Sequence, residues 1–346
     1  MKKTLLLLAL VGAATATHAQ SSVTLQGTVD LGVGYAKGSE TSRTQLISGG
    51  NTTSKLIFRG TEDLGGGLYA MFWLESGFNA DNGTFHATNT NNQPSGTTTP
   101  GGMTFNRRSI VGIGGPWGEI HLGRDWSPNY EPYTGKFDPF GLSAGVALNY
   151  IGSITPNQIR ASNDIVYVSP KVLGGFSVNV QHWLGENPSG SQTSSDGTGS
   201  GARLSYDNGP LNAAVALVRT KYAAGDAIYR TVAGAYDFGP ARLSFIGTKN
   251  QQGTLKESGW LVGVTVPVGA TLLKASYSTL GVDRPGDPEG KKLAIGAVYN
   301  LSKRTAVYST LAAIRNSGGA RYAITGATTA PNRSSSGFDL GFRHNF

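Results

Sequence analysis

The chain reads as an all-β protein, a sixteen-stranded antiparallel transmembrane β-barrel. Three observations carry that expectation: two-residue hydrophobic alternation from one end to the other, connections that alternate short and long, and a glycine-rich, charge-poor composition. Of 346 residues, 50 are glycine, and only 14% are charged against 38% hydrophobic. Ordinary soluble domains carry about 25% charged residues and about 7% glycine. Disordered chains are charge-rich and aromatic-poor, unlike a sequence with 14 tyrosines. A helical bundle would lose about 1 kcal/mol for each interior glycine relative to alanine. There is no cysteine, which removes disulfide frameworks, thiolate metal sites and cysteine nucleophiles.

Residues 1–19 have the form of an export signal, leaving 20–346 as the barrel. Lys2 and Lys3 give a positive start, Leu5 to Ala14 an apolar run too short to cross a ~30 Å hydrocarbon layer, and Thr17-His18-Ala19 a small-x-small cleavage site. Its removal takes two lysines and no acid, so the formal charge of +8 becomes +6.

Each strand then follows from its alternation. Val23, Leu25, Val29, Leu31, Val33 and Tyr35 share one face, and Thr24, Gln26, Thr28 and Asp30 the other. Phe176, Val178 and Val180 oppose Ser177, Asn179 and Gln181, and Leu293, Ile295, Ala297 and Tyr299 oppose Lys292, Ala294 and Gly296. Phe338, Leu340, Phe342 and Phe346 alternate with Asp339, Gly341, Arg343 and Asn345. A period of two with one apolar face marks a sheet wetted on one side.

Short turns fall near Asp63–Gly67, Gly115–Gly118, Lys171–Gly175, Asp207–Pro210, Phe238–Pro240, Pro267–Ala270 and Leu301–Arg304, where Gly, Asn, Asp and Pro provide turn geometry. Long polar stretches lie at 38–52, 79–104, 125–160, 186–200, 221–226, 249–257, 281–290 and 316–334. Seven short and eight long connections join sixteen strands, with all long loops at one end. That is the plan of an outer-membrane barrel. Closure pairs every backbone group in a medium that offers none, and sixteen strands enclose a water-filled lumen. A secreted sandwich or propeller is the alternative, but it would bury two inward faces and show turns of similar length at both ends.

The ordered set Ser22–Gly34 (SVTLQGTVDLGVG), Lys55–Glu75 (KLIFRGTEDLGGGLYAMFWLE), Phe105–Gly114 (FNRRSIVGIG), Gly118–Arg124 (GEIHLGR), Asp164–Pro170 (DIVYVSP), Lys303–Tyr308 (KRTAVY) and Gly337–Phe346 (GFDLGFRHNF) resembles the general diffusion porins of Gram-negative outer membranes, in particular the neisserial and β-proteobacterial branch. The resemblance runs over the whole mature chain. It implies a homotrimer in outer-membrane lipid and lipopolysaccharide, packing around the first and last strands. It implies a final strand, with Leu340, Phe342 and Phe346, read by the barrel assembly machinery. It also implies a third loop, after Arg124, folded into the barrel with Trp126, Tyr130, Glu131, Tyr133, Lys136 and Phe137-Asp138-Pro139-Phe140-Gly141. The loop 79–104 would reach over the neighbouring subunit.

A pore selects ions through charged side chains in a narrow, low-dielectric passage. Arg59 and Lys55 lie opposite Leu56 and Phe58 and so face the lumen. Arg107 and Arg160 fall where the family places further arginines of its constriction. Glu75 faces inward with Met71 and Trp73, and Asp138 on the inserted loop would be the opposing acid. Arg203, Arg242, Lys274 and Lys292 join the polar face by alternation. Arg108 and Arg124 have the opposite parity, which places them at the rim or a subunit interface. The expected activity is passive diffusion of small hydrophilic solutes and ions, with anions preferred. The alternatives are a substrate-specific channel of the same fold, for example for organic acids, and a surface adhesin or barrel enzyme.

Catalytic, metal, cofactor and nucleic-acid roles find no support in the motifs. Gly141-Leu142-Ser143-Ala144-Gly145 matches G-x-S-x-G but lacks the strand-to-helix setting of a nucleophile elbow. The histidines at 18, 86, 121, 182 and 344 have no metal-ligand spacing, no phosphate-binding G-x-x-x-x-G-K-[ST] is present, and basic residues are scattered singly.

Overall fold

The computed structural model describes residues 22–99, 101–130, 132, 134–141, 145 and 159–346; the expected export segment and Ser143 lie outside them. Seventeen strand segments, β1 (Ser22–Lys37) to β17 (Ser335–Asn345), form one sheet that closes on itself through β1 and β17. β2 (Ser42–Ser48) and β3 (Lys55–Gly65) are two halves of one stave. Both pair with β1, β2 along Leu31–Lys37 and β3 along Ser22–Thr28. The barrel therefore has sixteen antiparallel staves. The chain end completes the seam, because the Phe346 N–H donates to the Gly27 carbonyl and the Gly27 N–H to the Phe346 carbonyl.

β2 corrects part of the expected loop 38–52. Residues 49–54 fold off the stave around Asp30, which is fully buried. Its Oδ2 accepts the backbone N–H groups of Asn51 (3.1 Å) and Thr52 (2.8 Å), and its Oδ1 accepts the Tyr308 hydroxyl (2.7 Å). The stretch 249–257 is also strand. β12 (Arg242–Gln252) and β13 (Leu255–Val268) continue to a tight turn at Gly253, whose φ of 56° suits glycine. There the alternation fades because polar residues occupy both faces, while the backbone ladder carries on.

Outward and inward faces separate as the alternation requires. On β10 (Leu211–Thr220), Val215 and Leu217 are half-exposed on the outside, while Ala214, Ala216 and Val218 are buried within. Leu340, Phe342 and Phe346 stand on the outer face, Phe342 at 63% exposure. This outer belt of aliphatic and aromatic side chains is what a hydrocarbon layer stabilises. The seven short turns all lie at one end.

Candidate functional site: the inserted loop and a ladder of arginines and aromatics

The segment following β6 (Gly118–Trp126) runs along the inside of the barrel, and the far wall is shaped to receive it. Phe137 is 1% exposed and packs among Ala214, Ala233, Ala235, Ile246 and Leu261. A Cβ on Gly263 would collide with Pro139, and one on Gly296 would come within 3.1 Å of the Phe140 ring. Phe140 packs with Ala294, Ala312 and Ile314. Alanine on β10, β11, β15 and β16 and glycine at positions 263 and 296 thus leave room for the inserted chain. Polar groups fix its position: Lys136 pairs with Asp207, and the Arg242 guanidinium donates to the Lys136 carbonyl (3.0 Å) and to Asn212 Oδ1 (2.7 Å). Arg203 donates to the Pro128 carbonyl (3.3 Å) and to Ser205 Oγ (3.1 Å).

The opposite wall, β3 to β7, is charged. Arg59 of β3 lies 5.2 Å from the ring of Trp73 on β4 (Leu68–Gly77), and Arg108 of β5 (Arg108–Gly115) lies 5.1 Å from that ring. Arg108 also lies 5.8 Å from Trp126, which packs 5.5 Å from Tyr130. Arg160, at the start of β7 (Arg160–Val168), lies 5.6 Å from Tyr130. Three arginines and three aromatic rings thereby form one continuous stack across five elements. Rings attract cations through their negative faces and hold flat guanidinium groups in place.

The arginines differ in their compensation. Arg108 forks onto Asp125, with Nε–Oδ1 at 2.7 Å and a second bond of 2.9 Å, and His121 Nε2 meets the same carboxylate at 2.7 Å. Arg107 Nε pairs with Glu75 Oε1 at 2.5 Å, and the Trp73 indole donates to Glu75 Oε2 at 3.1 Å. Arg59 is exposed and has no ion pair among the described residues. Arg160 Nε is buried and has no hydrogen-bond partner among the described residues. Lys55 stands opposite Gly77, against which the Arg107 side chain packs. His86, in the loop between β4 and β5, joins this group. Burial, reinforced by the charges of Arg107 and Arg160, holds its imidazole below the usual histidine range.

The placement differs from the sequence reading at several points. Asp138 is buried, with Oδ1 accepting the Phe140 N–H at 2.9 Å, and it interacts electrostatically with Lys274 and Lys292. Lys292 is 3% exposed, and Lys274 lies 5.7 Å from the Phe140 ring. Asp138 and Lys292 are thus covered by packing around the loop rather than open to the lumen. Arg203 and Arg242 clamp the loop. Arg108 faces inward, on the same face as buried Ile110 and in register with Glu75; the alternation counted from Arg107 misassigns it because the chain is irregular just before β5. The Arg107 N–H donates to the Glu75 carbonyl while Arg108 is in register with Glu75, and Asn106 Oδ1 accepts the Gly77 N–H. Asp125, at the start of the expected loop 125–160, faces inward on the same side as His121 and Gly123, next to a register shift between Gly123 and Asp125. The signal for both was the two-residue alternation, Arg108 with Ile110 and Gly112, and Asp125 with His121 and Gly123.

Arg124 has outward parity, and its guanidinium donates to the Asn106 and Asn89 carbonyls and to Ser162 Oγ. The loop 78–107 that covers it turns onto its own barrel. Asn92, buried, donates to the Ser162 and Leu184 carbonyls and accepts the Tyr222 hydroxyl through its own carbonyl.

The chain is similar to known proteins over its length. Residues 6–319 match the family described as Gram-negative porin. Outer membrane porin protein 32 of Delftia acidovorans is 35% identical, with all of both chains covered. The major outer membrane protein P.IB of Neisseria meningitidis is 27% identical, over 88% of this chain and 91% of the relative. Among solved structures, the anion-selective porin from Comamonas acidovorans superposes with a TM-score of 0.82 at 33% identity, over 94% of this chain and all of the other. Closed barrel, inserted loop and sequence agree, and the chain belongs to the Gram-negative porin family of outer-membrane channels.

Proposed function

We propose that this porin passes small hydrophilic solutes passively and prefers anions, with Arg59, Arg107, Arg160 and Lys55 lining its constriction. The observation that carries this reading is the excess of cations on the β3–β7 wall. Arg59, Arg107, Arg108, Arg160 and Lys55 cluster there, with Glu75 and Asp125 as their ion-paired acids. In a low-dielectric passage such an imbalance raises the local concentration of anions. The name of the Comamonas relative, an anion-selective porin, supports the same direction. Three copies assemble in lipopolysaccharide-bearing outer membrane through the apolar outer face near β1 and β17, residues 1–19 direct export, and the assembly machinery reads Leu340, Phe342 and Phe346. The chain acts as a conduit and has no catalytic role. Reversal potential across a KCl gradient tests the reading: wild type gives an anion potential, and Arg59→Ala/Arg107→Ala moves it toward cations. A cation potential in wild type, untouched by the double change, overturns it.

A further inference from the structure

The stacked wall contains one complete unit and one open one. Arg108 lies near two rings, Trp73 and Trp126, and its edge is filled by Asp125. Arg59 has Trp73 as its ring partner, is exposed, and among the described residues has neither a second ring nor an acid against it. A ligand that completes this unit as Trp126 and Asp125 complete the other must bring a flat π-face and a carboxylate together.

We propose that Arg59 makes the channel discriminate among organic anions in favour of planar aromatic carboxylates, whose ring stacks on the guanidinium while the carboxylate enters the field of the neighbouring cations. The inference rests on the anion reading above and names a solute class for the same site. Trp73 is the positioning residue, since its indole is tied to Glu75 and holds Arg59 flat. An aliphatic ring of equal charge and similar size gains the same Coulomb attraction but has no flat π-face to stack on the planar guanidinium. At an exposed site the difference corresponds to about a two- to fivefold preference.

The experiment uses the full-length porin in planar bilayers, with chloride on one side replaced by sodium benzoate or by sodium cyclohexanecarboxylate at neutral pH. Wild type is expected to give a benzoate permeability about two- to fivefold above that of cyclohexanecarboxylate. Arg59→Lys, which keeps the charge and removes the planar face, is expected to bring the ratio close to one. Equal permeabilities in wild type, or a ratio unchanged in Arg59→Lys, overturn the inference, and the wild-type ratio decides even if the variant fails to fold. A KCl gradient on the same membranes separates the two levels. Anion preference with equal carboxylate permeabilities removes only the aromatic specificity, whereas cation preference removes the anion reading beneath it.

Discussion

Between β3 and β7 the inner wall carries arginines stacked on aromatic rings, whereas between β10 and β16 the same wall offers alanine and glycine to an inserted loop. Both halves are inward faces of one continuous sheet, with the same alternation and the same apolar exterior. They differ in what fills the space next to them. Where side chains are small, a peptide segment fits against the wall and the local cations, Arg203 and Arg242, are used to fasten it. Where they are large and charged, the space next to Arg59 stays open. The comparison teaches that the charge of a lumen residue does not by itself fix its role. Lys292 and Arg59 are both inward cations, but Lys292 is buried and Arg59 is exposed.

The largest effects come from breaking each half at its anchor. Phe137→Ala empties a site that is 1% exposed, and such truncations cost about 3–5 kcal/mol. The inserted segment loses its main apolar anchor, so single-channel conductance rises and becomes noisier; unchanged conductance would show that the small-residue wall does not hold the loop. On the charged half, Arg108→Met takes the guanidinium from the buried Asp125 carboxylate and leaves it only His121 Nε2 and the Trp126 N–H, so the cost stays below the about 3–5 kcal/mol of a fully stranded charge. Replacing both partners, Arg108→Met/Asp125→Leu, costs less. Unfolding of the detergent-solubilised barrel should rank wild type above the double variant and the double above the single. The reverse order would remove the ion pair from the account.

A smaller effect sharpens the distinction between paired and open cations. Glu75→Gln frees the Arg107 charge, so the reversal potential in a salt gradient moves further toward anions; a move toward cations contradicts the pairing. The smallest concerns pH. His86 is held below its usual value by burial and by Arg107 and Arg160, so the unfolded chain binds its proton first as pH falls. Packing of the loop around His86 is therefore fully stable above about pH 6.5 and loosens below it. An NMR titration should place the His86 midpoint under the ordinary value, and a midpoint above it would contradict the cluster.

The outer face and the short turns were legible in the sequence because lipid and hairpin geometry each impose a local rule. Val215 and Leu217 must point out, and a tight turn needs residues such as those at Asp207–Pro210. The wet side obeys no such rule. Parity counted from Arg107 misplaced Arg108, because the chain is irregular between them and both sit beside Glu75, whereas parity counted from Ile110 turns Arg108 inward. It could not see that Asp138 and Lys292 are buried, since that depends on where a loop from another part of the chain comes to rest. The stretch 249–257 looked like a loop because polarity on both faces hides a strand. Arg59 was legible because its strand is regular through Ile57 and Phe58 to the turn.

What is proposed is that uncompensated charge on the β3–β7 wall sets the selectivity of the channel. It is tested most directly by reversal potentials of Arg59→Gln and of the charge-neutral pair Arg107→Gln/Glu75→Gln in the same KCl gradient. Arg59→Gln is predicted to move the potential toward cations, and the paired change to leave it close to wild type. A paired change that moves it as far as Arg59→Gln does, or an Arg59→Gln channel indistinguishable from wild type, would contradict the claim.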